Sequence, residues 1–159
     1  MTNEIFKIEL EALGYNSFFA DNLQKLALEK PLVARVIAES RGAYRVRTET
    51  SEYLARVPGK QMFNALSRAD YPAVGDWLVI TALDPAQAVI DSILPRKTLL
   101  RKKQNDRPET QVIAANIDVA FIIEAVDRDY NLNRFERYFV MAKDGHIQPV
   151  IILNKIDLI

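Results

Sequence analysis

The residues of this chain best suited to chemistry stand where Val150-Ile151-Ile152-Leu153 runs into Asn154-Lys155-Ile156-Asp157. A β-branched, apolar run entered through Pro149 predicts a buried strand. In doubly wound α/β sheets, ligands bind outside the carboxyl ends of the strands, which is where these polar groups would stand. Guanine presents N1–H and N2–H2 side by side, and the Asp157 carboxylate can accept both as a charge-assisted pair. Adenine offers no such pair. Asn154 could bond the O6/N7 edge or tie neighbouring loops together, and the Lys155 stem could lie on the base plane with its ammonium in water. Asn154, Lys155 and Asp157 together read as a guanine-binding set. The competing reading is an ordinary polar turn, since Asn and Asp are common in turns. An apolar strand immediately ahead of the motif favours the guanine reading.

Hydrolysis of GTP needs a phosphate cradle as well, of the form G-x-x-x-x-G-K-[ST]. The only Gly-Lys is Gly59-Lys60, but Leu54 stands five residues before Gly59 and Gln61 follows Lys60. None of the five glycines completes an Asp-x-x-Gly motif. In the usual GTPase order the phosphate loop precedes the guanine motif, and here that region is β-patterned. The expectation is therefore a circularly permuted GTPase with its phosphate motifs beyond residue 159, of which this chain is the opening part. The chain by itself then carries no catalytic residue and is expected to hydrolyse no GTP.

The elements that must position the motif follow from periodicity. Residues 1–30 read as a helical extension, broken by Gly14 and Asn16 and ended at Lys30-Pro31, with Phe18 and Phe19 as packing material. From Leu32 the period is two. Leu32–Glu39, Ala43–Thr48, Glu52–Val57, Gly75–Thr81 and Ala88–Leu94 predict five strands, with a long loop from Pro58 to Pro72. Five short meander-linked strands in residues 31–95 suit a closed barrel of the OB type, a fold that commonly binds oligonucleotides. Arg35, Arg41, Arg45, Arg47, Arg56, Lys60 and Arg68 lie on it, interleaved with Tyr44, Tyr53 and Phe63. Cations beside aromatic platforms are the ingredients of single-strand nucleic-acid binding. Alternation puts Arg45 and Arg47 on one face and Tyr44 and Val46 on the other, so the tyrosines could equally be core and the arginines the wet side. Trp77 reads as structural.

Residues 96–116 read as a basic linker. Arg96, Lys97, Arg101, Lys102, Lys103 and Arg107 face one acid there, Asp106, and phosphate contact needs only such clustered cations. Residues 117–159 read as the start of the permuted GTPase domain. Ile117–Val126 is nearly continuous in apolar residues, as in a strand buried on both faces of a parallel sheet. Asn131 or Asn133 can cap a helix carrying Leu132, Phe135, Tyr138, Phe139 and Ala142, and Gly145 can end it. The strand ending at Leu153 completes a βαβ unit. His146 reads as a loop residue.

Composition bounds the rest. Apolar residues make up 49% of the chain and charged residues 26%, as in folded globular proteins. No apolar run approaches the ~20 residues that span a bilayer, and the N-terminus lacks the pattern of a secretory signal. With no cysteine and one histidine, no metal site is expected from this chain. A cytoplasmic monomer that contacts no membrane is the simplest expectation.

Several segments resemble the ribosome small-subunit-dependent GTPase A family, a group of circularly permuted GTPases. They are Val74-Gly75-Asp76-Trp77, Leu94 to Arg101, Gln111 to Asp118, Asp129-Tyr130-Asn131, Arg134 to Tyr138 and Pro149 through Leu158. The resemblance covers about residues 32–159. It implies an α+β chain, with a five-stranded OB-type β-barrel followed by the first βαβ unit of a circularly permuted α/β GTPase domain. It also implies a ribosome biogenesis role: GTP binding, contact with the small ribosomal subunit and its rRNA, and late subunit maturation. Mg²⁺ and a structural zinc are implied only for the full-length protein. Onto this sequence the family's guanine motif carries over as Asn154, Lys155 and Asp157. The expected rRNA contacts are Arg35, Arg41, Arg45, Arg47, Lys60, Arg68, Arg101, Lys102 and Lys103. The alternative is a stand-alone, non-enzymatic OB-fold RNA-binding protein whose Asn-Lys-Ile-Asp is only a turn.

Overall fold

The computed structural model describes residues 9–59, 67–103, 110–126 and 130–158. These fall into two compact units, divided between Lys97 and Thr98.

In the first unit, β1 (Leu32–Ser40), β2 (Ala43–Arg47), β3 (Glu52–Arg56), β4 (Trp77–Ala82) and β5 (Gln87–Ile93) close into a barrel in the order β1-β2-β3-β5-β4. All neighbours are antiparallel except β3 and β5, which run parallel. Closure leaves no free edge, and β-bulges at Val36/Ala38 and Val79/Ile80 supply local bends. The inward residues of each strand form one core: Ala34 and Val36, Tyr44 and Val46, Ala55, Leu78 and Ile80, Ala88 and Ile90.

A second core lies on the outer side of β1 and β4. Val33, Trp77 and Val79 alternate with the inward residues, and they are covered by Phe19 together with Leu10, Leu13, Tyr15, Phe18 and Leu23. These belong to a 3₁₀ turn (Leu10–Leu13), to α1 (Ser17–Gln24) and, for Tyr15, to the connection between them; Asn16 caps the first turn of α1 by accepting the Phe18 N–H at 3.1 Å. The Tyr15 ring meets Trp77 edge to face with centroids 4.9 Å apart, and burial pushes the Tyr15 phenol above its ordinary range. Gly14 breaks the segment as expected, at φ +90°, and a Cβ there would also run into the Arg35 guanidinium. The helical segment ends at Gln24 rather than at Lys30-Pro31. Ala27 and Lys30 take positive φ and lead the chain out in an irregular turn. The part of the predicted extension in residues 1–8 lies outside the described residues.

In the second unit, β6 (Leu99–Lys103) and β7 (Thr110–Ala115) pair antiparallel. The stretch read as a basic linker therefore contains two strands. Its charge pattern masked alternating residues that the ladder pairs, which is how a polar hairpin passes for a connection. β8 (Val119–Ala125) and β9 (Gln148–Asn154) pair parallel, joined through α2 (Leu132–Asp144). Asn131 caps α2 by accepting the Arg134 N–H at 3.1 Å. Gly145 ends it and does more: its carbonyl accepts the Leu99 N–H at 3.1 Å, and a Cβ would lie 2.4 Å from the Leu99 carbonyl oxygen. Only glycine permits that approach.

β8 departs from the expectation of burial on both faces. Ile122 and Glu124 are buried, whereas Phe121 and Ile123 are 66% and 62% exposed. A strand needs layers on both sides to bury both its faces, and among the described residues nothing covers Phe121 and Ile123.

Candidate guanine-reading site and nucleic-acid interface

β9 delivers the motif to the carboxyl edge of the β8–β9 pair. Asn154 is the last residue of the strand, Lys155 turns in the left-handed region at φ 58°, and Asp157 lies in a 3₁₀ turn, Ile156–Leu158. The Asn154 side-chain oxygen accepts the Lys155 N–H at 3.0 Å, and its carbonyl accepts the Val126 N–H at 2.9 Å. The motif is thus bonded to the end of the neighbouring strand. Asn154, Lys155 and Asp157 are all exposed. An exposed carboxylate just past a strand end is placed to receive two donors from a planar base, and the β8–β9 ladder fixes the strand that carries it.

The arginines and lysines expected to contact RNA separate into three groups. Arg41, in the β1–β2 turn, and Arg45, on β2, are exposed, and so is Arg56 on β3. Arg45 stands opposite Leu54 and Arg56 opposite Ala43, so both lie on the outer face of β2–β3. Arg101 and Lys102 are exposed on β6. A second group is occupied by the fold. Arg35 donates to the Leu13 carbonyl, and its guanidinium lies 5.8 Å from the Trp77 ring centre. That half-buried side chain packs against the second core, on the face that the helical segment covers. Arg47 is half-buried and pairs with Glu52 at 3.4 Å. The third group cannot be placed: Lys60, with Phe63, lies outside the described residues, as do the side chains of Arg68 and Lys103.

Two further expectations are corrected. Tyr44 is buried in the barrel core and Tyr53 packs against it, so neither is a stacking platform for a base. Alternation along β2 offered both readings, and closure of the barrel decides between them. Arg96, counted among the clustered cations, is spent inside its own unit. Its Nε and Nη2 bond the fully buried Asp76 carboxylate at 2.9 and 2.7 Å, and it donates to the carbonyls of Ala69 and Tyr71 at 2.8 Å each. Asp76 also accepts the Ala73 N–H at 2.8 Å.

A second buried pair, Glu124 with Arg134, was not singled out in the sequence. Its signal was there: one acid inside the nearly continuous apolar run of β8. Among the described residues, no three His, Cys, Asp or Glu side chains gather to hold a metal, and no helix is long and apolar enough to cross a membrane.

A closed five-stranded barrel followed by a βαβ unit that ends in Asn-Lys-x-Asp defines the class of fold. Solved structures agree on the fold. YjeQ from Thermotoga maritima superposes with a TM-score of 0.60 at 23% identity, covering 81% of this chain and 43% of that one. YloQ, described as a circularly permuted GTPase, gives 0.59 at 24% identity, covering 82% and 43%.

The sequence is more particular. Residues 93–159 match the family RsgA GTPase. The small ribosomal subunit biogenesis GTPase RsgA of Opitutus terrae is 36% identical over 159 residues, covering 94% of this chain and 43% of that protein. RsgA 2 of Listeria monocytogenes is 41% identical over 150 residues, covering 94% and 41%. The chain belongs to the RsgA family, and it spans less than half the length of the curated relatives it matches. None of these relatives favours the stand-alone, non-enzymatic reading.

Proposed function

We propose that this chain is the rRNA-contacting barrel and the guanine-reading part of a GTPase of small ribosomal subunit biogenesis, acting in late maturation in the cytoplasm. The observation that carries the reading is the delivery of Asn154, Lys155 and Asp157, all exposed, to the carboxyl edge of a parallel strand pair. The names of the relatives, each a small ribosomal subunit biogenesis GTPase, support it.

In this reading the domains are a helical extension at 1–30, the barrel at 31–95, a basic segment at 96–116 and the start of the GTPase domain at 117–159. GTP fits the residues present at its base end. Asp157 takes N1–H and N2–H2, Asn154 holds the loop to β8 or meets the base, and Lys155 covers the base plane. When bound, GTP supplies the phosphoryl bond that is cleaved; this chain's residues select and orient the base. Magnesium and a structural zinc would take their ligands from outside the described residues. The exposed Arg41, Arg45 and Arg56 on the barrel, with Arg101 and Lys102 on β6, would meet rRNA phosphates. The protein acts as a monomer without membrane contact.

The test is Asp157→Asn in the full-length protein. Facing an amide instead of a carboxylate, the site is expected to move its preference from guanine toward xanthine nucleotides, because xanthine presents a carbonyl at position 2. Nucleotide affinities measured by competition read this directly, and an unchanged preference overturns the guanine assignment. The 159-residue chain alone is expected to bind small-subunit RNA in a salt-dependent manner and to turn over no GTP.

A further inference from the structure

One charged group at the carboxyl edge of β8 has no part in the guanine reading. Glu124 is 5% exposed, the one buried acid among the described residues of its unit. Its Oε1 accepts three donors: the Asn131 backbone N–H at 3.1 Å, Arg134 Nε at 3.2 Å and Arg134 Nη2 at 2.6 Å. Burying a carboxylate carries a desolvation penalty, and well-packed apolar side chains usually hold such a position as well or better. Stability alone therefore does not account for Glu124.

What the arrangement accomplishes is geometric. A single oxygen gathers the residue that caps α2 and a residue of its first turn, and pins both to the end of β8. The base-reading motif stands at that same edge. Ala125, next to Glu124, lies opposite Asn154 in the ladder, and the Val126 N–H donates to the Asn154 carbonyl at 2.9 Å. A shift of the β8–α2 junction is thus transmitted to Asn154 through a direct backbone bond.

We propose that Glu124, acting through Arg134 and Asn131, is a positioning residue for guanine recognition: it fixes the junction to which Asn154 is bonded and so sets where Asn154 and Asp157 meet the base. This rests on the guanine reading of Asn154-Lys155-Ile156-Asp157. A positioning role separates from a merely structural one in the choice between bases. Inosine diphosphate lacks the 2-amino group that Asp157 would read, so a displaced Asp157 loses more with GDP than with IDP.

The experiment uses the full-length protein and the double variant Glu124→Met/Arg134→Met, which removes both charges at similar volume. The expected result is an unchanged melting temperature with GDP affinity and the GDP-over-IDP preference each reduced roughly tenfold, the size of a displaced rather than abolished hydrogen bond. Glu124→Gln, which keeps an acceptor for the Asn131 N–H, is expected to fall between the double variant and the native protein. A double variant that folds and keeps the native GDP-over-IDP ratio overturns the proposal. If the double variant fails to fold, an unchanged ratio in folded Glu124→Gln overturns it equally. Asp157→Asn, measured in parallel, tests the base reading by itself. With its xanthine shift present and the Glu124 variants native in preference, only the positioning role fails; without that shift, the guanine reading fails.

Discussion

The barrel and the βαβ unit handle their strands in opposite ways. Closing five strands on themselves pairs every edge, buries one face of each strand, and leaves the outer face free to be wet or covered. Here α1 and the 3₁₀ turn before it cover the β1–β4 part of that face, while the β2–β3 part stays exposed with Arg45 and Arg56. The parallel pair β8–β9 has no such closure. α2 packs on one side, and Phe121 and Ile123 stand in the open on the other. The difference teaches that a closed barrel buries a core within a small unit, whereas two parallel strands and a helix bury one side of the pair and leave Phe121 and Ile123 exposed on the other.

The two buried ion pairs show the same contrast. Asp76 is fully enclosed and accepts three bonds, from Arg96 Nε and Nη2 and from the Ala73 N–H, while Arg96 also donates to the carbonyls of Ala69 and Tyr71. Glu124 is enclosed as well, but its partner Arg134 has a side chain 49% exposed. One pair locks a loop inside a finished core. The other holds a helix start at the rim of an open sheet.

The sharpest way to break the comparison is to separate the units. Residues 1–97 are expected to melt in one cooperative transition, and residues 98–159 alone to show none and to bind a hydrophobic dye through the open face of β8. Circular dichroism and dye fluorescence check this, and cooperative melting of the second piece would refute it. Next in size, Asp76→Ala strands the half-buried Arg96 and is expected to lower barrel stability by about 3–5 kcal/mol in urea unfolding. Glu124→Ala should cost about 1–3 kcal/mol, because Arg134 can rehydrate. Equal losses would mean that the open sheet is as enclosed as the barrel. Smaller still, Gly14→Ala forces a left-handed Cβ toward Arg35 and is expected to cost about 1–2 kcal/mol, read by the same method. Smallest, and read in binding rather than stability, Arg45→Ala and Arg56→Ala are each expected to lower the salt slope of RNA binding by about 1, whereas Arg35→Ala leaves it unchanged.

Much of the architecture was legible in the residues. A period of two along Leu32–Ser40, Ala43–Arg47 and Glu52–Arg56 dictates strands with one apolar face. Gly14 and Asn16 break the N-terminal helix where a left-handed turn and a cap are needed, and Asn131 and Gly145 bound α2 for the same local reasons. The place of Asn154, Lys155 and Asp157 just after a strand was legible too, since they sit in adjacent residues behind an apolar run. The hairpin of β6 and β7 was not, because four cations, Arg101, Lys102, Lys103 and Arg107, dominate its composition while its ladder pairs residues up to sixteen positions apart.

By itself, then, the sequence determined what depends on neighbours along the chain: strand and helix periods, their caps, and the order of Asn154, Lys155 and Asp157. Only the tertiary structure decided which of the like-looking groups were already spent. Arg35 on Leu13 and Trp77, Arg96 on Asp76, Tyr44 in the core and Glu124 on Arg134 each find a partner 10 or more positions away or across a closed sheet. The burial that fixes their roles comes from that packing, and no local pattern of residues carries it.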